Sequence, residues 1–250
     1  MDLLELGGDP GGHPVLLVHG FASSSSDWVR TGWVRALGQQ GFRVLGVDLP
    51  GHGRHAAPAS QETTRTGLED RIGELAAGLG GGAPVPLVGY SLGAQLAWSA
   101  AARRPGIGAL VLGGLGPQDR LPDLGRALAG DPTAEPSARE LAATLTATAP
   151  EGVSGRVRRW SALARLAGTE PFAPESAVPA QPLLLFAGGR DDWADPRAMA
   201  RLRGRTGAPT EQLVVPGRGH VDVLTARAAR QGAAGFLRRS VPPRAPGVLP

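Results

Sequence analysis

Short apolar runs recur along the chain and are separated by longer stretches with a helical spacing of apolar side chains. Most of the runs are continuous rather than alternating, which is typical of strands covered on both faces of a parallel sheet. A run over Leu3–Leu6 predicts an edge strand antiparallel to the others. The remaining runs predict buried strands over Val15–His19, Arg43–Asp48, Pro86–Tyr90, Ala109–Gly113, Leu183–Gly188 and Gln212–Val215.

The stretches between these runs predict helices that connect one strand to the next. Strands and helices that alternate at this spacing indicate a doubly wound arrangement. We therefore expect an α/β fold class with a mostly parallel sheet of about seven to eight strands. The predicted helices cover Asp27–Gln40, Leu68–Leu79, Leu92–Arg104, Pro196–Arg205 and Thr225–Arg238.

One segment of the chain breaks this alternation. Residues 117–180 have no strand signal and several Pro and Gly residues, and they contain two helical stretches, Ala138–Ala149 and Gly155–Ala167. Because an insertion of this length is too long for a simple loop, it predicts a helical cap over the sheet. Residues 1–116 and 181–239 then form the core, and the proline-rich residues 240–250 predict a disordered tail.

Composition and charge restrict the classes of function. The 250 residues can build one large core, and the absence of cysteine excludes disulfides, thiolate catalysis and Cys-ligated metals. The formal charge is +4. The sequence contains no cluster of Arg interleaved with aromatic residues, so we expect no nucleic-acid partner. No apolar stretch reaches the roughly 20 residues of a membrane span, and the short acidic N-terminus is unlike a signal peptide. We expect a cytoplasmic monomer or homodimer that acts on a small molecule.

The sequence Gly89-Tyr90-Ser91-Leu92-Gly93 lies between a predicted strand and a predicted helix. This is the context in which a G-x-S-x-G motif forms a sharp turn and exposes the serine hydroxyl above the sheet. A side chain at either glycine would collide where the helix meets the strand. The motif therefore predicts that Ser91 is a nucleophile.

A serine hydroxyl is a poor nucleophile at neutral pH, so it needs a base and a group that orients the base. His220, which follows the last predicted strand, is the candidate base. The candidate acid follows the preceding strand: counting from the strand end at Gly188 selects Asp191. Counting back from a later proline selects Asp192 instead, and adjacent side chains point apart, so only one of them can face the base. We favour Asp191 over Asp192 because the strand end fixes the geometry more tightly.

The third requirement is a pair of N–H groups that stabilise a developing oxyanion. The backbone N–H of Leu92 is one candidate, because it follows the nucleophile at a helix N-terminus. The other is the backbone N–H of Phe21, in the loop after the strand Val15–His19.

These motifs and their order resemble the α/β-hydrolase superfamily, and in particular its bacterial esterases, lactonases and thioesterases. The resemblance implies an eight-stranded sheet, a cap, and a site for hydrolysis or acyl transfer. Two features depart from the family pattern: the N-terminus is too short for the usual first hairpin, which implies one strand fewer, and Arg54 stands where a small residue is common. The matching segments are His19–Phe21, Asp48–Gly53, Gly89–Gly93, Gly188–Asp191 and Gly219–His220.

Three aromatic residues are candidate substrate contacts. Trp28 follows the oxyanion loop, in a stretch that lines the acyl pocket of the family, and Tyr90 precedes the nucleophile. Trp160 lies in the predicted cap, where packing is the alternative interpretation for it and for Trp193.

No metal or cofactor is expected. His52, His55 and Asp48 lie close in sequence, but their spacing matches no zinc template and indicates a structural turn. Four cap arginines predict either a solvated helix face or a clamp for an acidic substrate, and the charged face needs no ligand to explain it. They are Arg156, Arg158, Arg159 and Arg165.

The sequence thus predicts a serine hydrolase that cleaves an ester-like bond through an acyl-enzyme. The bond is a carboxylic ester, a lactone or a thioester. Two alternatives use the same scaffold. One is a lyase or cyclase in which the oxyanion site stabilises an enolate, and the other is a sensor that binds a ligand without turnover. Fold alone does not decide between them.

Overall fold

Residues 1–54, 63–147 and 169–241 are described by a computed structural model, in which a seven-stranded sheet lies between two layers of helices. Its strands are β1 (Leu3–Gly8), β2 (His13–Val18), β3 (Phe42–Val47), β4 (Val85–Tyr90), β5 (Ile107–Gly113), β6 (Leu183–Gly188) and β7 (Thr210–Val215). They lie in the order β1-β3-β2-β4-β5-β6-β7. Strand β1 is antiparallel to β3, and the other pairings are parallel. The predicted α/β fold class and the antiparallel edge strand are confirmed.

Helices cover both faces of the sheet because side chains of each buried strand point alternately to two cores. In β2, Val15 and Leu17 join one core, and Leu16 and Val18 join the other. The helices are α1 (Ser25–Arg30), α2 (Trp33–Gly38), α3 (Arg65–Gly80), α4 (Leu92–Arg103), α5 (Leu121–Leu128), α6 (Pro136–Ala147), α7 (Pro196–Arg203) and α8 (Arg227–Ser240). Helices α1, α2 and α8 close the first core, and α3 and α4 close most of the second.

The prediction of one continuous helix over Asp27–Gln40 is wrong, because the chain breaks it into α1 and α2. Gly32, at the break, has a φ of +83°, a left-handed conformation that glycine adopts without strain. Beyond the break Trp33 enters the core, and its indole N–H donates to the Leu224 carbonyl oxygen at 2.9 Å. The break thus brings the start of α2 against α8, which follows Leu224 closely in the chain.

The segment between β5 and β6 contains α5 and α6 in its described part. Helix α6 corresponds to the predicted Ala138–Ala149, α5 was not predicted as a separate helix, and the predicted helix Gly155–Ala167 lies outside the described residues. Leu121 and Leu124 of α5 are buried in the core on the α3 and α4 side. The division of the chain into a core and a cap stays a prediction.

A buried arginine fastens both described ends of this segment to α3. Arg65 donates to Asp119 Oδ2 at 2.8 Å and to the Glu170 carbonyl oxygen at 2.7 Å. Asp119 Oδ2 also accepts the backbone N–H of Phe172 at 2.8 Å. Burial lowers the pKa of Arg65, and the charge of Asp119 opposes that shift. The pair therefore fixes where the chain leaves the sheet and where it returns.

At the C-terminus, α8 ends at Ser240, and residues 242–250 of the predicted tail lie outside the described residues. Within the described ranges, we find no helix with the length and apolar character needed to cross a membrane.

Candidate active site

Ser91 lies in the turn between β4 and α4, the strand–turn–helix context that its motif predicts. Its backbone φ is +52° and its ψ is −116°, a conformation that costs a non-glycine residue about 1–3 kcal/mol. A Cβ on Gly89 would lie 2.6 Å from the Gly93 carbonyl oxygen, and a Cβ on Gly93 would collide with the Val18 carbonyl oxygen. The two glycines therefore allow α4 to start close to β4 and β2, and the strained turn holds Ser91 above the strand ends.

His220 reaches Ser91 from the loop after β7. Its Nε2 lies 3.0 Å from Ser91 Oγ, and its Nδ1 lies 3.0 Å from each carboxylate oxygen of Asp191. Because a carboxylate only accepts hydrogen bonds, Nδ1 carries the hydrogen of a neutral ring, and the lone pair of Nε2 faces the serine hydroxyl. This tautomer is the one that can accept the serine proton.

Asp191, and not Asp192, is the carboxylate that contacts His220. The Asp191 side chain is 0% exposed, and its Oδ1 also accepts the backbone N–H of Trp193 at 3.0 Å. Asp192 is exposed, and no hydrogen bond joins it to His220. The strand end at Gly188, followed by a tight turn, therefore places the first aspartate inward and the second outward.

Two aromatic rings hold the His220 loop in place. The Tyr90 hydroxyl donates to the His220 carbonyl oxygen, and the Tyr90 and Trp193 ring centroids lie 5.4 Å and 5.7 Å from the imidazole centroid. Burial raises the pKa of Tyr90 well above its ordinary value, and the charges of Asp191 and Asp222 raise it further. Tyr90 thus stays a hydrogen-bond donor, and it fixes the histidine backbone as well as lining the cavity.

The loop that carries Phe21 is held by two histidines. His19 Nδ1 donates to the Gly20 carbonyl oxygen at 2.7 Å, and its Nε2 accepts the Leu49 N–H at 3.0 Å. On the other side of Phe21, His52 Nε2 accepts the N–H of Ala22 at 3.0 Å. Phe21 and Leu92 both line the cavity beside Ser91, and the role of their N–H groups towards an oxyanion stays a prediction.

Asp48, directly after β3, stabilises the loop that follows this strand. Its Oδ1 accepts the N–H of Ser25 and its Oδ2 the N–H of Arg54, each at 2.7 Å. Burial raises the pKa of Asp48, but the hydrogen bonds from Ser25 and Arg54 outweigh that effect, and the net shift is downward. Among the described residues, no three His, Asp or Glu side chains form a group that could hold a metal ion; His55 lies outside those residues.

A cavity of about 650 Å³ opens above Ser91. Its walls include residues from the Phe21 loop, from α1 and α2, from the described part of the β5–β6 segment, and from the loop that precedes α8. The apolar side chains of α5 and α6 in the wall are Leu121, Leu124, Leu141 and Leu145, and the charged side chains are Asp27, Arg30, Arg35, Arg120, Asp222 and Arg230.

The three predicted substrate contacts have different outcomes. Tyr90 lines the cavity. Trp28 lies in the core instead: it is 2% exposed and packs edge-on against Trp33 at 5.3 Å between ring centroids. Trp160 and the four cap arginines lie outside the described residues.

Sequence reasoning missed the role of Trp193 and of the charged cavity wall. Trp193 follows Asp191 by two residues, a spacing at which an aspartate commonly accepts a backbone N–H, and this was the signal available for it. Arg35 and Arg230 are 195 positions apart in the sequence, and no local pattern indicates that they share a wall. The two arginines share this wall because the break at Gly32 turns α2 towards α8.

A model of the family described as the alpha/beta hydrolase family matches residues 15–232. An epoxide hydrolase of Caballeronia sordidicola is 41% identical over 96 residues, which are 38% of this chain and 28% of that relative. The chain thus aligns with less than a third of that relative's length.

Two solved structures share the fold at low identity. A carboxylesterase of Nitrososphaera gargenis superposes with a TM-score of 0.71 and 18% identity over 96% of this chain and 94% of that one. The monoacylglycerol lipase of Paleococcus ferrophilus gives 0.67 and 20% over 96% and 100% of the two chains. Because the family model covers most of the chain, the chain belongs to the alpha/beta hydrolase family.

Proposed function

We propose that this protein is a serine hydrolase that cleaves an ester-like bond through an acyl-enzyme. One observation carries the proposal: Ser91 Oγ, His220 Nε2 and the Asp191 carboxylate form a continuous hydrogen-bonded row, with 3.0 Å at each step. The row opens into a cavity whose 650 Å³ lies in the range of small-molecule sites, about 300–1,000 Å³. A small carboxylic ester, lactone or thioester is the substrate class.

The proposed reaction starts with attack of Ser91 Oγ on the substrate carbonyl carbon. His220 Nε2 takes the hydroxyl proton, and the carbonyl oxygen becomes an oxyanion beside the N–H groups of Phe21 and Leu92. When the intermediate collapses, the bond to the leaving group breaks and His220 returns the proton to that group. Water then repeats the sequence on the acyl-serine and releases a carboxylic acid. Asp191 keeps the imidazole in the required tautomer throughout.

A serine nucleophile favours esters over epoxides as substrates. Attack of Ser91 on a carbonyl gives an ester, which a second attack at the same carbonyl can hydrolyse. Attack on an epoxide carbon would give an ether, which has no carbonyl for water to attack and no oxyanion to stabilise. The likeness to an epoxide hydrolase over part of the chain is therefore interpreted as shared scaffold rather than shared substrate.

The test is Ser91→Ala with p-nitrophenyl butyrate as substrate. We expect kcat to fall about 10⁶-fold, the loss measured in a serine protease without its nucleophile. The matched control is Ser26→Ala, on the exposed face of α1, which should retain turnover. A Ser91→Ala protein with turnover close to that of the wild type would refute the proposal. If Ser91 reacts with a fluorophosphonate probe but no ester, lactone or thioester is turned over, the lyase or cyclase alternative replaces hydrolysis.

A further inference from the structure

The cavity above Ser91 has two chemically different walls. The leucines of its apolar wall belong to α5 and α6, the helices that join the core on the α3 and α4 side of the sheet. Three arginines of its cationic wall, Arg30, Arg35 and Arg230, belong to α1, α2 and α8, which close the opposite core. A substrate bound at Ser91 thus meets leucines on the α5 and α6 side of the site, where Arg120 precedes α5 and donates to Ser137 Oγ at 3.3 Å, and guanidinium groups on the other side.

Of these three arginines, the carboxylates in the described cavity wall neutralise Arg30 alone. Asp27 pairs with Arg30 at 2.6 Å, and Asp222 pairs with Arg218 at 3.3 Å. Within the described ranges, Arg35 and Arg230 form no ion pair with a carboxylate. An excess of positive charge therefore remains on the wall formed by α2 and α8.

Arg230 is held in position by the protein backbone. Its Nη1 donates to the Thr225 carbonyl oxygen at 2.7 Å, and its Nε lies 3.6 Å from the point where a Cβ on Gly32 would stand. One edge of the guanidinium is thus anchored beside the break between α1 and α2. The remaining N–H groups have no hydrogen-bond partner among the described residues, and their fork matches two oxygens of one phosphate.

The same two arginines, together with Gly32, also line a second, surface cavity of about 470 Å³. Its described wall holds no aspartate or glutamate, and it adds one more arginine and three amide side chains: Arg227, Gln39, Gln40 and Gln231. Guanidinium and amide N–H groups together form a surface of hydrogen-bond donors. A surface of this kind is complementary to an oxyanion that carries more than one charge.

The start of α8 supports the same conclusion. Helices favour acidic residues in their first turn, because the exposed N–H groups make that end positive. The first turn of α8 contains no acidic residue and begins with Arg227. An anionic ligand in the cavity would complement both this arginine and the helix end.

We propose that the leaving group of the substrate carries phosphate and lies between α2 and α8 on Arg35, Arg227 and Arg230, while the acyl chain lies against the leucines of α5 and α6. This inference rests on the proposed function, since Ser91 must cleave the bond between these two parts. When the bond between the two parts is a thioester, its hydrolysis consumes one water and yields a carboxylic acid and a phosphate-bearing thiol. The protein then selects its substrate by the charge of the part that leaves.

The experiment compares two thioesters with the same acyl chain, hexanoyl-coenzyme A and the uncharged S-hexanoyl-N-acetylcysteamine. We expect kcat/KM of the wild type to be at least about tenfold higher for the coenzyme A thioester, through a lower KM, because hydrogen bonds to charged groups are worth about this factor. Arg35→Gln and Arg230→Gln should each lower the ratio of the two kcat/KM values about tenfold. The matched control, Arg201→Gln on α7, lies outside both cavity walls and should keep the ratio.

Salt gives an independent readout. Raising NaCl from about 0.05 to about 0.5 M should raise KM for the coenzyme A thioester and leave KM for the uncharged thioester constant, because exposed charges are screened. Equal kcat/KM for the two wild-type substrates, or an unchanged ratio in both arginine variants, overturns the inference. Equal preference for coenzyme A and for S-hexanoyl-mercaptosuccinate, whose charges are carboxylates, overturns the assignment of phosphate. Retained turnover in Ser91→Ala would instead refute the proposed function, so the two failures are distinguishable.

Discussion

Two histidine–carboxylate pairs lie within the same site. They differ in the other contacts that the two ring nitrogens make. In the first pair, His220 Nδ1 lies 3.0 Å from both Asp191 oxygens, and its Nε2 faces the Ser91 hydroxyl. In the second, His19 Nε2 lies 3.8 Å from Asp48 Oδ1. The residue types are the same, so composition alone does not distinguish a base from a structural element.

The neighbours of His19 fix both of its nitrogens to the backbone. Nε2 accepts the Leu49 N–H, and Nδ1 donates to the Gly20 carbonyl oxygen. Burial lowers the pKa of His19, and the Gly20 bond and the charge of Asp48 oppose that shift. His19 is therefore neutral, and its contact with Asp48 is not an ion pair. In contrast, His220 Nε2 faces the Ser91 hydroxyl, which is the arrangement that the proposed proton transfer needs.

The largest expected effect is on His220. His220→Gln removes the proposed base, so we expect the kcat for p-nitrophenyl butyrate to fall about 10⁶-fold. The free energy of unfolding, measured by urea titration, should change by about 1 kcal/mol or less, because the side chain borders a cavity. His13→Gln, on an exposed strand start, is the control and should retain activity. A variant with less than a tenfold loss would show that another group is the base.

The next effect distinguishes the two neighbouring aspartates. Asp191→Asn leaves an amide beside His220 Nδ1, and an amide can also donate, so the ring loses the tautomer that its partner enforces. We expect kcat to fall about 10⁴-fold, the loss measured in a serine protease with this arrangement. Asp192→Asn, at the exposed neighbouring position, should stay within about twofold of the wild type. The opposite order of the two effects would assign the orienting role to Asp192.

Local pattern was sufficient for the sheet and for the candidates around the nucleophile. Continuous apolar runs gave the strands, and the loops after β4, β6 and β7 contain Ser91, Asp191 and His220, which the structure brings together. Their catalytic role stays a prediction. The choice between Asp191 and Asp192 needed coordinates, because a one-residue difference in where β6 ends reverses which side chain faces inward.

The walls of the cavity could not be predicted in this way. Trp28 was expected to line an acyl pocket, but it packs on Trp33 in the core, because the break at Gly32 turns α2 against α8. That break depends on a single left-handed residue, Gly32. The contact that follows it, between Trp33 and Leu224, joins residues 191 positions apart in the sequence. Helical periodicity over Asp27–Gln40 contains no signal for either.

A smaller effect, on stability rather than on chemistry, is expected at His19. His19→Ala leaves the buried Leu49 N–H and Gly20 carbonyl oxygen without their partner, so we expect the free energy of unfolding to fall by about 2–4 kcal/mol. Urea titration followed by tryptophan fluorescence measures this loss. His13→Ala, whose Nε2 contacts the Pro84 carbonyl oxygen at 3.2 Å on the surface, should cost about 1 kcal/mol or less. Equal losses in the two variants would mean that His19 does not support the loop.

The smallest effect is the dependence of stability on pH. The pKa of His19 is lowered in the folded protein, chiefly by burial, so below about pH 6.5 the unfolded chain binds a proton that the folded chain does not. Stability from this residue is therefore present above that pH and is lost as pH falls towards the folded pKa, by up to about 1.4 kcal/mol per pH unit. Asp48, whose pKa is also lowered, adds a loss in the same direction at more acidic pH.

His19→Ala should lack the loss that comes from His19, because alanine cannot take up the proton in either state. Urea titrations of the wild type and of His19→Ala between about pH 7.5 and 5 compare the two slopes, and the other histidines cancel in the difference. Parallel slopes would mean that His19 is protonated when folded and would remove the contrast between the two pairs.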